Sequence, residues 1–158
     1  ATAKGLGLAL NKPLISIPTV DALAYNLYGT ERLICPIMDA RRNQVYTGLY
    51  EYKHTEFCIV EAQKIAEIDE LANEINQLNR AVTFLGDGVE VYEEQLKQLL
   101  MVPADFAPLH VSKQRAASVG ALGITYLLNG KTEDADSHEP VYLRLSQAER
   151  ELAKKQGK

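Results

Sequence analysis

The side chains with chemistry to offer fall into three groups. Asp39, Arg41 and Arg42 crowd three charges into four positions after an apolar run from Leu33 to Met38. Two readings stand for this turn. Asp39 can cap it, since aspartate accepts backbone donors two residues on, with one arginine paired to its carboxylate. The cluster can instead face a partner or a phosphate, because the guanidinium fork matches carboxylate and phosphate geometry. Spacing alone does not choose. The second group is Gly86-Asp87-Gly88, between a strand-like run and a helix-like one. Glycines there can bring backbone amides up to a phosphate or ribose, although most two-glycine turns only reverse the chain. The third group is scattered. His54, His110 and His138 lie far apart, and Cys35 and Cys58 sit in apolar runs where cysteine ordinarily serves as a small buried hydrophobe. The sequence has no H-x-x-x-H, C-x-x-C, G-x-S-x-G or Walker-type spacing. This weighs against an enzyme without excluding one, since a fold can gather distant residues.

The elements that position these groups follow from pattern. Leu33 to Met38 reads as a buried strand and Gln44 to Tyr52, rich in β-branched and aromatic residues, as its antiparallel partner, with Asp39 to Asn43 as the turn. Before the hairpin, residues 1–10 read as a helix whose Ala1, Gly5 and Ala9 form one smooth stripe beside Leu6 and Leu10. Such a stripe lets another helix come close, from the same subunit or another. Leu14 to Ile17 reads as a strand, and Thr19 as the N-cap of a short helix with an apolar face of Val20, Leu23, Ala24 and Leu27.

Beyond the hairpin, Phe57 to Val60 reads as a third strand. Ile65, Ile68, Leu71, Ala72, Ile75 and Leu78 then recur at helical spacing, with Glu67, Glu70 and Glu74 on the wet side. Val82 to Leu85 is a further strand and residues 89–100 a helix. Pro103 and Pro108 bound a loop, and Leu109 to Val111 suit a short strand. Ser112 is placed to cap a helix that ends at Leu128 before Asn129-Gly130. Pro140 to Leu145 reads as extended, and Ser146 with Glu149 as the capping box of a last helix, with Lys154 and Lys155 complementing its dipole. The alternation of helices and strands points to an α/β layer.

With 158 residues, 46% apolar and 24% charged, the chain suits one sizeable core. No apolar stretch reaches the length of a membrane span, and the first residues lack a leader pattern, so the cytoplasm is the default location. The net charge is −4, and residues 56–105 hold eleven acidic against three basic groups. That footprint is wrong for a protein that holds nucleic acid unaided. Nothing before residue 1 could cap the first helix and no initiator Met is present, so the chain is expected to be part of something longer.

Taken together, residues 1–24, the segment Ile34-Cys-Pro-Ile-Met-Asp-Ala-Arg-Arg-Asn-Gln-Val-Tyr46, Leu85-Gly86-Asp87-Gly88 and the ending Pro140-Val-Tyr-Leu-Arg144 resemble the TsaB (YeaZ) family of bacterial tRNA threonylcarbamoyladenosine biosynthesis. Their order and spacing match over essentially the whole chain. The resemblance implies an α/β fold of the actin-like, sugar kinase and Hsp70 type, built from ribonuclease-H-like lobes. Residues 1–30 would be the remainder of the first lobe, and residues 31–158 the second lobe with its C-terminal helix.

The same resemblance implies a non-catalytic subunit. It would support the catalytic paralogue TsaD, with the ATPase TsaE, in forming N6-threonylcarbamoyladenosine beside the anticodon of tRNAs that read codons beginning with A. The chain would touch tRNA only through the complex, would pair with the paralogue or with itself as a homodimer, would meet no membrane and would need no cofactor. Ala1, Gly5, Ala9, Val20, Leu23 and Leu27 are the expected partner-binding residues. Thr19 and Leu23 stand where the paralogue carries its metal-binding histidines, and neither can replace an imidazole. Gly86, Asp87 and Gly88 would be a degenerate nucleotide loop, while Asp39-Ala40-Arg41-Arg42 occupies the turn that offers glycines to a phosphate elsewhere in this fold. The contrasting readings are a nucleotide-hydrolysing or peptidase enzyme of the same fold and, more weakly, a fragment of a small-molecule kinase.

Overall fold

The computed structural model describes residues 1–144. Its centre is a five-stranded sheet in the order β3-β2-β1-β4-β5. β1 (Leu33–Asp39), β2 (Gln44–Lys53) and β3 (Glu56–Glu67) form an antiparallel meander. β4 (Val82–Leu85) and β5 (Ala104–Phe106) run parallel to β1. This is the ribonuclease-H-like arrangement expected of an actin-type lobe. Among the described residues no helix is long and apolar enough to cross a membrane.

β1 is apolar along nearly its whole length because it is covered on both faces. On one face Leu33, Cys35 and Ile37 join Val45, Leu49, Val82 and Phe84 against two helices, α3 (Ile68–Leu78) and α4 (Gly88–Leu99). On the other, Ile34 joins Tyr50, Tyr52 and Leu85 against Val20, Leu23 and Ala24 of the short helix α2 (Thr19–Ala24). Each fully buried aliphatic contributes on the order of 1.5–3 kcal/mol, so these two layers dominate the stability. The helix α1 (Thr2–Leu10) lies outside them, and α5 (Ala116–Leu128) packs beside α2. α1 reaches the body through Leu14, whose backbone exchanges hydrogen bonds with Glu133.

Several expectations need correction. Leu14 to Ile17 is not a strand; only that single bridge at Leu14 is present. β3 runs on through Ile65 to Glu67, and the helix begins at Ile68, because the ten residues of β2 supply a ladder that overrides the helical periodicity at Ile65. Leu109 to Val111 forms a turn, and the edge strand is instead Ala104–Phe106, between the two prolines. Ser112 caps no helix, since α5 starts at Ala116 after Arg115. Thr19 is the first residue of α2, with Pro18 at the N-cap position. Residues 140–144 make no ladder. The last helix, with Ser146, Glu149, Lys154 and Lys155, lies outside the described residues.

One buried carboxyl joins three of these elements. Asp21 of α2 is only 3% exposed. Tyr50 of β2 donates its hydroxyl to one carboxylate oxygen at 2.6 Å, and Tyr126 of α5 donates to the other at 3.2 Å. Burial raises the Asp21 pKa above its ordinary value, outweighing the two hydroxyl donors. Burial and the nearby carboxylate also push the Tyr50 hydroxyl up strongly and that of Tyr126 up to about 12.

Tyr50→Phe removes a donor from this carboxylate and should cost about 1.5–3 kcal/mol in chemical denaturation. The pH dependence has a defined sign. A folded-state pKa above 3.8 makes the Asp21 contribution greatest below that value, and it is lost as pH rises through the raised pKa. The stability of the wild type relative to Asp21→Asn should therefore increase as pH falls toward 3.8, measured by urea melts across that window.

Candidate functional site

Ligands of open α/β sheets gather at the carboxyl ends of the parallel strands. Here that end is where β1 meets β4, and it brings together two of the three groups singled out in the sequence. β1 ends in Asp39, whose Oδ1 accepts the Arg41 N–H at 2.8 Å and the Tyr92 hydroxyl of α4 at 3.1 Å. The Asp39 N–H donates in turn to Asp87 Oδ1 at 3.3 Å. Asp39 thus caps its turn, as the first reading had it. Among the described residues no guanidinium pairs with it: its partners are the Arg41 backbone and the Tyr92 hydroxyl. Desolvation raises the Tyr92 pKa, and the hydrogen bond and charge of Asp39 add to it.

The turn is held unusually firmly. The Ala40 N–H donates to Gln44 O at 2.9 Å and the Gln44 N–H to Arg41 O at 3.1 Å, while Ile68 N–H reaches Asn43 O at 3.1 Å. Arg144 arrives from the end of the described chain, its Nη1 donating to Ala40 O at 2.7 Å and its Nη2 to Gln44 Oε1 at 3.3 Å. Arg41, Arg42 and Asn43 all take left-handed backbone conformations, with φ of 62°, 58° and 60°. Both arginine side chains are exposed.

Gly86-Asp87-Gly88 lies against the same strand end. Gly86 has φ +109°, and a Cβ there would collide with the carbonyl oxygen of Ile37 in β1. A Cβ on Gly88 would come within 2.9 Å of that oxygen. Both glycines are therefore required by the approach of one strand end to the next, without appeal to a ligand. The Gly86 N–H is already bound to the buried Ser112 Oγ at 2.9 Å. Asp87 stands at the N-terminus of α4 with no capping bond, its carboxylate being turned to Asp39.

The remaining site residues separate. Ala1, Gly5 and Ala9 lie exposed on α1, with Leu6 58% and Leu10 64% exposed beside them. The inward side of that helix is Gly7, whose Cβ would sit 2.8 Å from that of Ala135. Val20 and Leu23 are corrected as surface residues: they are 2% and 0% exposed and hold α2 onto the sheet. Leu27 is half-buried in the same layer. Of the histidines, His54 is in the exposed β2–β3 turn, His110 is exposed, and His138 Nδ1 lies 2.8 Å from Glu133. Among the described residues no three His, Cys, Asp or Glu side chains are grouped to hold a metal.

Sequence reasoning passed over four contributors. Tyr92 had a signal, lying four residues into a helix that starts at Gly88 against β1. Asp21 had one too, as a charge flanked by apolar Val20 and Leu23. Ser112 and Arg144 bond across 26 and 104 residues, and no local pattern reports such distances.

The family model described as TsaD, tRNA N6-adenosine threonylcarbamoyltransferase, matches residues 1–152. The tRNA threonylcarbamoyladenosine biosynthesis protein TsaB of Bacillus subtilis (strain 168) is 31% identical over 149 residues, which are 93% of this chain and 62% of that protein. A crystal structure from Pseudomonas aeruginosa, described as an uncharacterized protein with similarity to peptidase YEAZ, superposes with a TM-score of 0.70 at 23% identity. It covers 90% of this chain and 64% of its own. YeaZ from the same organism gives 0.69 at 21% identity, with 89% of this chain and 65% of the other covered. The chain thus spans less than two thirds of the length of each of these relatives.

Gly86→Ala should destabilise the fold by about 2–3 kcal/mol, through overpacking against Ile37 and strain at positive φ. Gly5→Ala, at an open position on α1, should instead be neutral or stabilising by up to about 1 kcal/mol. Denaturant midpoints of the two variants check both signs.

Proposed function

The chain belongs to the TsaD family, within which it is similar to the TsaB (YeaZ) proteins, and from that premise we propose that it serves tRNA threonylcarbamoyladenosine formation as a docking subunit. Residues 1–30 are the part of a first lobe that carries the docking helix. The residues from 31 onward form the second lobe that braces it. The partner is the TsaD-type catalytic subunit, with TsaE and a second copy of the chain as further associates. The assembly works in the cytoplasm, and the chain meets tRNA through the complex.

The observation that carries this reading is the outer face of α1. Ala1, Gly5 and Ala9 form a smooth exposed stripe, nothing lies within 4 Å of where a Gly5 Cβ would be, and Leu6 and Leu10 flank it. A helix with one glycine turned inward and small residues turned outward can accept a second helix at short interaxial distance. Chemistry at the sheet end supports a non-catalytic role. Asp39 and Asp87 each accept hydrogen bonds that fix the turn, and Leu23, at one of the paralogue's histidine positions, is core.

Gly5→Leu fills the stripe and should weaken assembly with the catalytic subunit at least tenfold while leaving the fold intact. Unchanged co-elution of the variant would count against docking through α1. The pathway itself is tested by nucleoside mass spectrometry of tRNA from cells depleted of the protein. Loss of the modified adenosine is expected, and its persistence would remove the assignment.

A further inference from the structure

We propose that the β1–β2 turn is a direct contact for the phosphate backbone of RNA, made by the side chains of Arg41 and Arg42. The inference rests on the proposed role in tRNA modification and adds to it a surface of this chain that touches the tRNA.

Three observations carry it. First, the two guanidinium groups are uncompensated. Among the described residues, Arg32, Lys53, Lys64, Arg80, Lys97 and Lys113 each lie within 4 Å of a carboxylate. Arg41 and Arg42 do not, and neither do Lys4, Lys12, Arg115, Lys131 and Arg144; of these, Lys4 and Arg144 are bound to carbonyl oxygens and Lys131 lies over the Tyr126 ring. Three carboxylates around the turn have other partners: Asp39 takes the Arg41 N–H and Tyr92, Asp87 takes the Asp39 N–H, and Asp69 takes Asn43 and Gln95. Glu67 is across the ladder from Gln44 and is more than 4 Å from either guanidinium.

Second, the backbone runs against local preference. The Gln44 N–H to Arg41 O bond closes a turn whose central residues are Arg42 and Asn43, both left-handed, with Arg41 left-handed before them. Such turns call for asparagine and glycine, because a Cβ is crowded there. Conformations of this kind persist where the surroundings over-determine them, and they cluster at functional positions. The surroundings here are the bonds from Asp39, Gln44, Ile68 and Arg144 to this turn. The two arginines are thus displayed on a fixed support.

Third, the shape suits a macromolecule. The arginines are exposed at a hairpin tip and do not line the pocket of about 260 Å³ between α2, Met38 and Tyr46. A small anion would find no walls there, while an RNA backbone brings its phosphates along an exposed surface. Two phosphate contacts also fit a chain of net charge −4, which can assist RNA binding but not sustain it alone.

The test uses the assembled complex of this subunit with its catalytic partner and fluorescently labelled tRNA, titrated at several salt concentrations. Arg41→Gly and Arg42→Gly, singly and together, remove the guanidinium and relieve the left-handed strain. The double variant should bind tRNA at least tenfold more weakly, with the slope of log K against log salt reduced by about 2. Its own denaturation midpoint should equal or exceed that of the wild type. Arg41→Lys with Arg42→Lys should keep most of the slope. An intact complex with unchanged affinity and slope would overturn the inference and leave the docking role standing. Loss of co-elution in the glycine variants would assign the arginines to an acidic protein surface and overturn the RNA contact. If the wild type itself forms no complex, the docking role fails and this inference falls with it.

Discussion

A single buried carboxylate ties together what would otherwise be separable pieces. Asp21 sits on α2, outside the ribonuclease-H-like sheet, yet its two oxygens take hydroxyls from β2 and from α5. A carboxyl in such a place is tolerated only when its oxygens are met by partners on well-fixed neighbours. Tyr50 is fixed by stacking on Phe57, with ring centroids 5.4 Å apart, and its ring end occupies the space that a side chain at Gly48 would need, a Cβ there falling 2.7 Å from the hydroxyl. The hydrogen-bonding demand of one buried carboxyl therefore helps to set how α2 lies on the sheet.

The other end of the sheet is governed by close approach. Gly86 and Gly88 let the β4–α4 corner press on the Ile37 carbonyl, Ser112 satisfies the corner's amide, and Tyr92 from α4 reaches back to Asp39. The result is a strand end with little backbone free for a ligand. In this fold that region ordinarily meets phosphate through glycine-rich backbone. Here the backbone contacts are used within the structure, and the groups left exposed at this end include the side chains of Arg41 and Arg42.

Much of the architecture could be read from residue order. The hairpin was legible because Leu33 to Met38 is too apolar for a surface element and Asp39 to Asn43 too polar for a strand. α3 followed from apolar periodicity with glutamates on the wet side, and α4 from its place after the glycine corner. The errors have a common cause. Ile65 belongs to a strand because β2 offers it a partner, and Ala104–Phe106 is a strand because β4 does, and neither partner is local. Val20 and Leu23 looked like docking residues because an amphipathic face does not declare what it faces. In the candidate site, the charged turn and the glycine corner were visible as motifs. The bonds that unite them, from Tyr92, Ser112 and Arg144, were not, since each joins segments many residues apart.

β3 lies at the margin of the sheet, twelve residues long, with Ile59 and Val60 exposed. A straight margin of that length would template a strand from another molecule and seed aggregation. Two features oppose it. The pairing with β2 slips register twice between Thr47 and Tyr50, which bends and twists the strand out of the flat form that cross-chain pairing needs. At the same place Lys64 is clamped between Glu61 and Glu74, both at 2.6 Å, so a foreign strand would have to displace a charged triad. The bulged, charge-flanked edge of β3 is therefore a poor template for a strand from another chain.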